Sequence, residues 1–411
     1  MQNTAVSFKY KDLLPLLQGR IPGQLIMQYT DKCNATCPQC SMRITKSFPR
    51  SKIDMNDAKR IIDAAADMDI KALSLTGGEP LLFLEEIISL LNYAGARGIS
   101  YLRTGTNGFI FMNWESRDFT KKIHCLADSL AGTPVRNFWI SIDSAKPEIH
   151  EKMRGLPGVI KGIEKALPIL HEYGIFPAAN LGINRNIGGL RTLAAEDSRR
   201  DPEVYYQRAQ EAFQEFYNFV ADLGFTMVNT CYPMSSDEDG FVYGAVSDDE
   251  VVRFTPREKV LLFKALYDVI PRHRSQLRIF TPRSSLYAFI RQYEGKKDFC
   301  LPCRGGTDFF FIDCRDLEVY PCGYRAEDKL GKLWNLDLNK ITGQAYCTEC
   351  DWECFRDPSE LMGQLVRLTN NPLGFLSRIV KEREYLKVWL EDLLYYKKCA
   401  FFDGRQPINW T

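Results

Sequence analysis

Cys33, Cys37 and Cys40 stand in the run Cys33-Asn-Ala-Thr-Cys37-Pro-Gln-Cys40. Three thiolates at such short spacings can take three irons of a cubane cluster. The fourth iron is then left open to chelate another molecule, as open metal sites do. A zinc ion would want a fourth donor nearby, and none is close in sequence. A second stretch, Thr76-Gly77-Gly78-Glu79-Pro80, offers two glycines that let the backbone come close to a ligand, and a carboxylate able to accept hydrogen bonds from an ammonium group. Taken alone it also reads as a strand-to-helix turn. A third group runs from Cys300 to Cys354: Cys300-x2-Cys303, Cys314, Cys322 and Cys347-x2-Cys350-x3-Cys354. The chain has 13 cysteines, an odd number, with no export signal, so a secreted disulfide framework is disfavoured. Cys125, Cys231 and Cys399 stand apart and read as small buried hydrophobes.

These residues need elements to position them. Between Gln24 and Leu301, strand and helix signals alternate. Strands are expected at Gln24–Tyr29, Ala72–Leu75, Ser100–Thr104, Phe138–Ile142, Phe176–Ile183 and Thr226–Cys231. Helices are expected at Asp54–Met68, Leu82–Ala94, Val159–Tyr173 and Asp201–Leu223. Asp54 reads as an N-cap, Gly95 as a helix stop and Gly174 as a C-cap. Alternation of this kind implies a parallel sheet with right-handed crossovers. Six units suit an open or partial (β/α)6 barrel of α/β class, with its site at the C-terminal strand ends, where Cys33–Cys40 and Gly77–Pro80 fall. The region after residue 300 is cysteine-rich, with a hairpin expected of Phe309–Ile312 against Val319–Tyr320. The segment from Ser359 is helical in pattern and reads as packed on the barrel. The expected organisation is residues 1–23 as an N-terminal segment, 24–299 as the barrel, 300–357 as a cluster-binding extension and 358–411 as a helical tail.

Composition excludes some classes. The 411 residues carry a formal charge of +1 and are 45% hydrophobic. That gives no electrostatic case for nucleic acid. No apolar run approaches the roughly 18 residues of a transmembrane helix, and the N-terminus has no signal-peptide pattern, so a cytoplasmic protein is expected.

Cys33, Cys37 and Cys40 together with Gly77–Pro80 closely resemble the radical S-adenosylmethionine (SAM) superfamily. Thr106-Asn107-Gly108, Ser141-Ile-Asp143 with His150 and Met153-Arg154-Gly155, and Gly158–Glu164 resemble its later segments, so the likeness spans about Gln24 to Met234. The resemblance implies a [4Fe–4S] cluster on Cys33, Cys37 and Cys40, and SAM held at its open iron. Gly77, Gly78, Glu79 and Pro80 would meet the methionine ammonium. Ser141 and Asp143 would meet the carboxylate or ribose, and Asn180 or Asn184 the ribose. Reductive cleavage of SAM would yield a 5′-deoxyadenosyl radical that abstracts hydrogen from a substrate. Gln39 stands where the family has an aromatic residue, so adenine would be met by this amide or by another residue.

The C-terminal cysteines resemble the twitch or SPASM extensions of that superfamily, which hold auxiliary [4Fe–4S] clusters. Leu317 stands where the SPASM pattern has glycine, and the cysteine series is shorter. One auxiliary cluster is therefore expected, on Cys303, Cys322, Cys347 and Cys350, with Cys300 or Cys354 able to replace one ligand, and a zinc ribbon as the other reading. Few residues precede the first strand, so no fused leader-peptide-binding or cobalamin domain is expected there, which rules out neither peptides nor methyl transfer. The expected activity is oxidative modification or cross-linking of a peptide or protein side chain, fed by an electron donor such as flavodoxin or ferredoxin. A small-molecule dehydrogenase, cyclase or methyltransferase is the alternative, and a non-catalytic iron–sulfur scaffold the rival from another class.

Overall fold

A computed structural model describes residues 14–43, 50–233, 242–243, 246–296, 301–338, 340, 347–373, 375, 381–400 and 403–408. Its centre is one sheet built from β1 (Gly23–Thr30), β2 (Ile70–Gly77), β3 (Tyr101–Thr106), β4 (Val135–Ser141), β5 (Ala178–Gly182), β6 (Met227–Cys231), β7 (Arg278–Phe280), β8 (Phe309–Ile312) and β9 (Val319–Tyr320). The order is β7-β6-β5-β4-β3-β2-β1-β8-β9, and the two ends do not meet. Every pairing is parallel except the β8/β9 hairpin.

Two features differ from the expectation of six units. A seventh parallel strand, β7, follows the helix Pro256–His273; three residues are too few for a periodic signal. The hairpin also pairs β8 alongside β1, Gln24 with Phe309 through Met27 with Ile312, so the cysteine-rich region extends the same sheet.

Alternation along the strands divides the sheet into two faces. Leu25, Met27, Tyr29, Leu73, Leu75 and Leu102 pack under the helices Met55–Asp67 and Leu84–Ala96. Phe138, Ile140, Ala179, Leu181 and Val228 pack under the next helices. The opposite face is polar: Gln24, Gln28, Ser74, Thr76, Arg103, Asn137, Ser141, Asn180, Asn229 and Cys231 alternate with those apolar positions.

Local chemistry fixes the element ends. The Asp54 carboxylate accepts from Asn56 N at 2.8 Å. Asp201 caps the helix Pro202–Leu223 in the same way. Gly95 is not a stop: the helix continues to Ala96, and a Cβ at Gly95 would lie 2.4 Å from Pro134, so the residue is there for close packing. The helices Glu353–Asn370 and Arg383–Lys398 cover the polar face from below. There Leu361, Tyr385, Leu386 and Trp389 pack on Ala178 and Met227. The chain then returns to the N-terminal strand ends, where Arg278 donates to the carbonyls of Asp403 at 3.0 Å and Gln406 at 2.9 Å. No helix among the described residues is long and apolar enough to cross a membrane.

Candidate active site

The loop after β1 carries Cys33, Cys37 and Cys40, and the ends of β2, β3 and β4 hold it. Gly78 N donates to Thr30 O at 2.7 Å and Glu79 N to Lys32 O at 2.8 Å. A Cβ at Gly77, whose φ is +141°, would lie 1.9 Å from Thr30 O, and one at Gly78 would lie 2.2 Å from Lys32 O. What the two glycines admit is therefore the backbone of the cysteine loop.

Glu79 is fully buried and braces the neighbouring turns. Its carboxylate accepts from Leu81 N at 3.0 Å, capping the turn that starts at Pro80, and from Asn107 N at 2.6 Å. Burial pushes this carboxyl up to about 7, against the pull of those two amides. The Asn107 side chain then donates to Asn34 Oδ1 at 2.9 Å and reaches Cys33 Sγ at 3.6 Å.

From the other side, Thr36 N donates to Arg154 O at 2.9 Å. The Arg154 guanidinium grips Asp143 through Nε at 2.7 Å and Nη2 at 3.0 Å, both groups buried. Gln39 Nε2 adds a third bond to Asp143 at 2.7 Å. His150, neutral because burial pulls its imidazole down to about 3, accepts Asp143 N–H at its Nδ1. Asp143 is thus engaged within the protein, and Arg154, to which the sequence pattern alone assigns no role, holds it. Asn184 is likewise committed, donating to Asp143 O and Gly182 O at 2.8 Å each. Ser141 and Asn180 pair in register on the polar face, both half-buried.

Burial pushes the Cys37 thiol up to about 12 and Cys40 up to about 11, and raises Cys33 as well. Cys37 feels the charge of Cys33 and Cys40, Cys40 feels that of Cys33, and Arg154 offsets part of the rise in all three. Such buried thiols surrender their protons when a cation takes their place, so this donor set suits iron.

The second group of thiols is assembled from distant segments. Cys303, Cys322, Cys347 and Cys350 line one cavity with Gly305, Trp352 and Phe355. Cys303 N donates to Cys347 O at 2.8 Å. Gly305 N approaches Cys303 Sγ at 3.4 Å, and Arg356, fully buried, donates to Cys350 O at 2.9 Å. Burial raises Cys303 and Cys350 and pushes Cys322 up to about 12. Cys314 lies elsewhere, 3.5 Å from Gln28 Nε2. Cys354 turns away toward β6, and Cys300 lies outside the described residues. Between the two thiol groups stand two rings. Trp352 lines the second cavity, and Tyr243, 5.8 Å from it, hydrogen-bonds Thr76 at the end of β2. Among the described residues, no three His, Cys, Asp or Glu side chains are grouped for a single metal ion.

The isolated cysteines divide three ways. Cys125 is exposed, Cys399 is buried, and Cys231 is half-buried at the end of β6, beside Asn180. For Cys125 and Cys231, the expectation of a buried hydrophobe is corrected.

Residues 27–197 match the family model described as the Radical SAM superfamily. The AdoMet-dependent heme synthase of Methanosarcina barkeri is 23% identical over 343 residues, spanning 84% of this chain and 87% of that protein. A GTP 3′,8-cyclase of Desulforamulus reducens is 32% identical over 167 residues, 39% of this chain and 47% of that protein. Among solved structures, Streptococcus suis SuiB bound to S-adenosylmethionine aligns with a TM-score of 0.52 at 14% identity, covering 82% of this chain and 70% of that one. SuiB bound to precursor peptide SuiA aligns with a TM-score of 0.50 at 14% identity, covering 85% and 73%. At that identity the likeness is one of fold.

Proposed function

We propose that this chain is a radical SAM enzyme, of the family that its residues 27–197 match and that works with a [4Fe–4S] cluster and SAM, and that it oxidises a substrate through a radical generated above the polar face of its sheet. Cys33, Cys37 and Cys40 hold the cluster in this reading, and Cys303, Cys322, Cys347 and Cys350 an auxiliary one. Bound there, the cluster and SAM supply the hydrogen-abstracting radical, and the auxiliary cluster an acceptor for the electron released.

The protein's own work is positioning. Glu79 and Asn107 lock three strand ends beneath the cysteine loop, and the Asp143–Arg154 pair with Gln39 fixes its far side. Ser141 and Asn180 present polar groups next to it. The observation that carries the reading is the presence of two separate groups of buried and half-buried thiols, with the Tyr243–Trp352 pair between them.

For the substrate, a small molecule carrying an anionic group is favoured over a peptide or protein side chain. Arg103 lies on the polar wall against Trp139, 5.6 Å from its ring, and its Nε meets no hydrogen-bond partner. A carboxylate would complete it. A relative that spans 84% of this chain is named an AdoMet-dependent heme synthase, a small-molecule activity. The reading includes a one-electron donor such as flavodoxin or ferredoxin, in the cytoplasm.

The test is anaerobic reconstitution followed by incubation with SAM and a reductant. Formation of 5′-deoxyadenosine separates an enzyme from an iron–sulfur scaffold. Deuterium transfer into it from labelled carboxylated small molecules, against labelled peptides, decides the substrate class. Transfer from peptides alone overturns the preference for a small anionic substrate.

A further inference from the structure

The polar wall carries a further pair of thiols, apart from both groups above. Cys231, at the C-terminal end of β6, lies 3.4 Å from Asn180 Nδ2 and hydrogen-bonds the Glu353 carboxylate. Cys354 Sγ donates to Glu353 Oε1 at 3.3 Å, and Tyr232 N to Oε2 at 3.3 Å. One carboxylate, 8% exposed, thus holds two thiols from segments more than a hundred residues apart. Neither thiol lines the cavity of Cys303, Cys322, Cys347 and Cys350. Cys231 stands on the polar face of β6, beside β5. It pairs in register with Gly182, and a Cβ on Gly182 would lie 3.3 Å from Asp143 Oδ1, the carboxylate that Gln39 grips. Burial raises both thiols, so each keeps its hydrogen.

We propose that Cys231, with Glu353 and Cys354 behind it, is a hydrogen-atom donor that ends a primary radical formed while no substrate occupies the polar wall. This rests on the radical reading above. A thiol S–H is weaker than a primary C–H bond, so the transfer runs downhill. The Cys231 S–H bond breaks homolytically, a C–H bond forms on the 5′-deoxyadenosyl carbon, and a thiyl radical remains on Cys231. One electron from the low-potential donor and one proton, taken up from solvent through the Glu353 carboxylate, restore the thiol. Cys354 and Tyr232 N hold that carboxylate in place meanwhile. The alternative, abstraction from a protein C–H, would damage the chain.

The probe is SAM alone. The anaerobically reconstituted full chain is incubated with SAM and titanium(III) citrate in D2O, with no substrate added. An exchangeable donor delivers deuterium, and a protein C–H delivers protium. The readout is the isotope content of the 5′-deoxyadenosine that forms, rather than its amount. The wild type is expected to give a singly deuterated methyl group. Cys231→Ser, which keeps a polar group of similar size but has an O–H bond too strong to donate, should lose that deuterium. Cys125→Ser, on an exposed surface, should retain it. Iron content and SAM binding, measured on each sample, check that the variants fold. Unlabelled product from the wild type, or a label that survives in Cys231→Ser, overturns the proposal. Absence of 5′-deoxyadenosine from the wild type overturns the radical reading itself, and the donor with it.

Discussion

The two buried thiol groups are built in opposite ways. Cys33, Cys37 and Cys40 share one short loop, and their neighbours hold that loop without supplying a thiol. The Gly77–Gly78 turn presses on its start, Glu79 and Asn107 tie its underside, and Arg154 reaches its middle. Cys303, Cys322, Cys347 and Cys350 come from the strand entry, the hairpin exit and a later turn, and converge because β8 pairs with β1. Closing one short loop costs little entropy, whereas bringing distant segments together costs more and must be offset by the sheet and by Trp352, Phe355 and Arg356. The first group carries its geometry locally, and the second depends on the whole fold.

The largest effect should separate the two groups outright. Reconstituted wild type is expected to hold about eight irons, four per cluster. Cys33→Ala with Cys37→Ala and Cys40→Ala should remove about four of them and all 5′-deoxyadenosine, while the second group keeps its share. The double variant Cys347→Ala with Cys350→Ala should instead go on making 5′-deoxyadenosine and fail to form product. Iron analysis and chromatography of both samples check the pair. Equal loss of SAM cleavage in both would mean that the two groups are one functional unit.

A smaller effect concerns what holds the first loop. Arg154→Ala leaves the buried Asp143 carboxylate with Gln39 alone, and removing one partner of a buried pair costs roughly 3–5 kcal/mol. Urea unfolding of the metal-free chain should show that loss, and SAM binding by the loaded chain should weaken as the loop shifts. Arg154→Lys should recover only part, because a single ammonium cannot reproduce the two parallel bonds from Nε and Nη2. Unchanged stability in Arg154→Ala would make the pair incidental.

The same contrast governs how much was legible in the sequence. The cysteine spacing, the Gly-Gly-Glu-Pro turn, the strands and the hairpin Phe309–Ile312 with Val319–Tyr320 are local patterns, and the structure has an element at each. Glycine chemistry was legible as close approach, but the partner was not: Gly77 and Gly78 accommodate the Thr30–Lys32 backbone, a contact that exists only once β1 and β2 pair. Strand β7 escaped because Arg278-Ile-Phe280 is too short for alternation to register. Cys231 looked like an isolated thiol because Glu353 and Cys354 stand far away in sequence, and only the helix Glu353–Asn370, laid over the polar face, brings them together. Arg154 stands within the Met153-Arg154-Gly155 motif, yet nothing local points from it to Asp143.

The smallest expected effect compares one carboxyl beside each region. Burial pushes Glu79 and Glu353 each from 4.5 up to about 7. A carboxyl raised in the folded state favours folding when protonated. Its contribution is fully present below the unfolded value and is lost as pH rises through the folded one. Between pH 4.5 and about 7 the metal-free chain should therefore lose stability from Glu79, by roughly 3 kcal/mol at most for that shift. Glu79→Gln cannot ionise, so its unfolding free energy should fall less steeply over this window. Because an amide replaces one acceptor oxygen facing the Leu81 and Asn107 N–H groups, Glu79→Gln should also carry a constant penalty of about 1–3 kcal/mol. The informative quantity is thus the difference in slope between wild type and variant, since the offset cancels. Glu353→Gln should flatten the slope in the same direction. If Glu79→Gln runs parallel to the wild type across the window, Glu79 is ionised throughout, and its two backbone bonds outweigh its burial. That outcome would favour a charged Glu79 available to an ammonium group over a neutral brace between the strand ends.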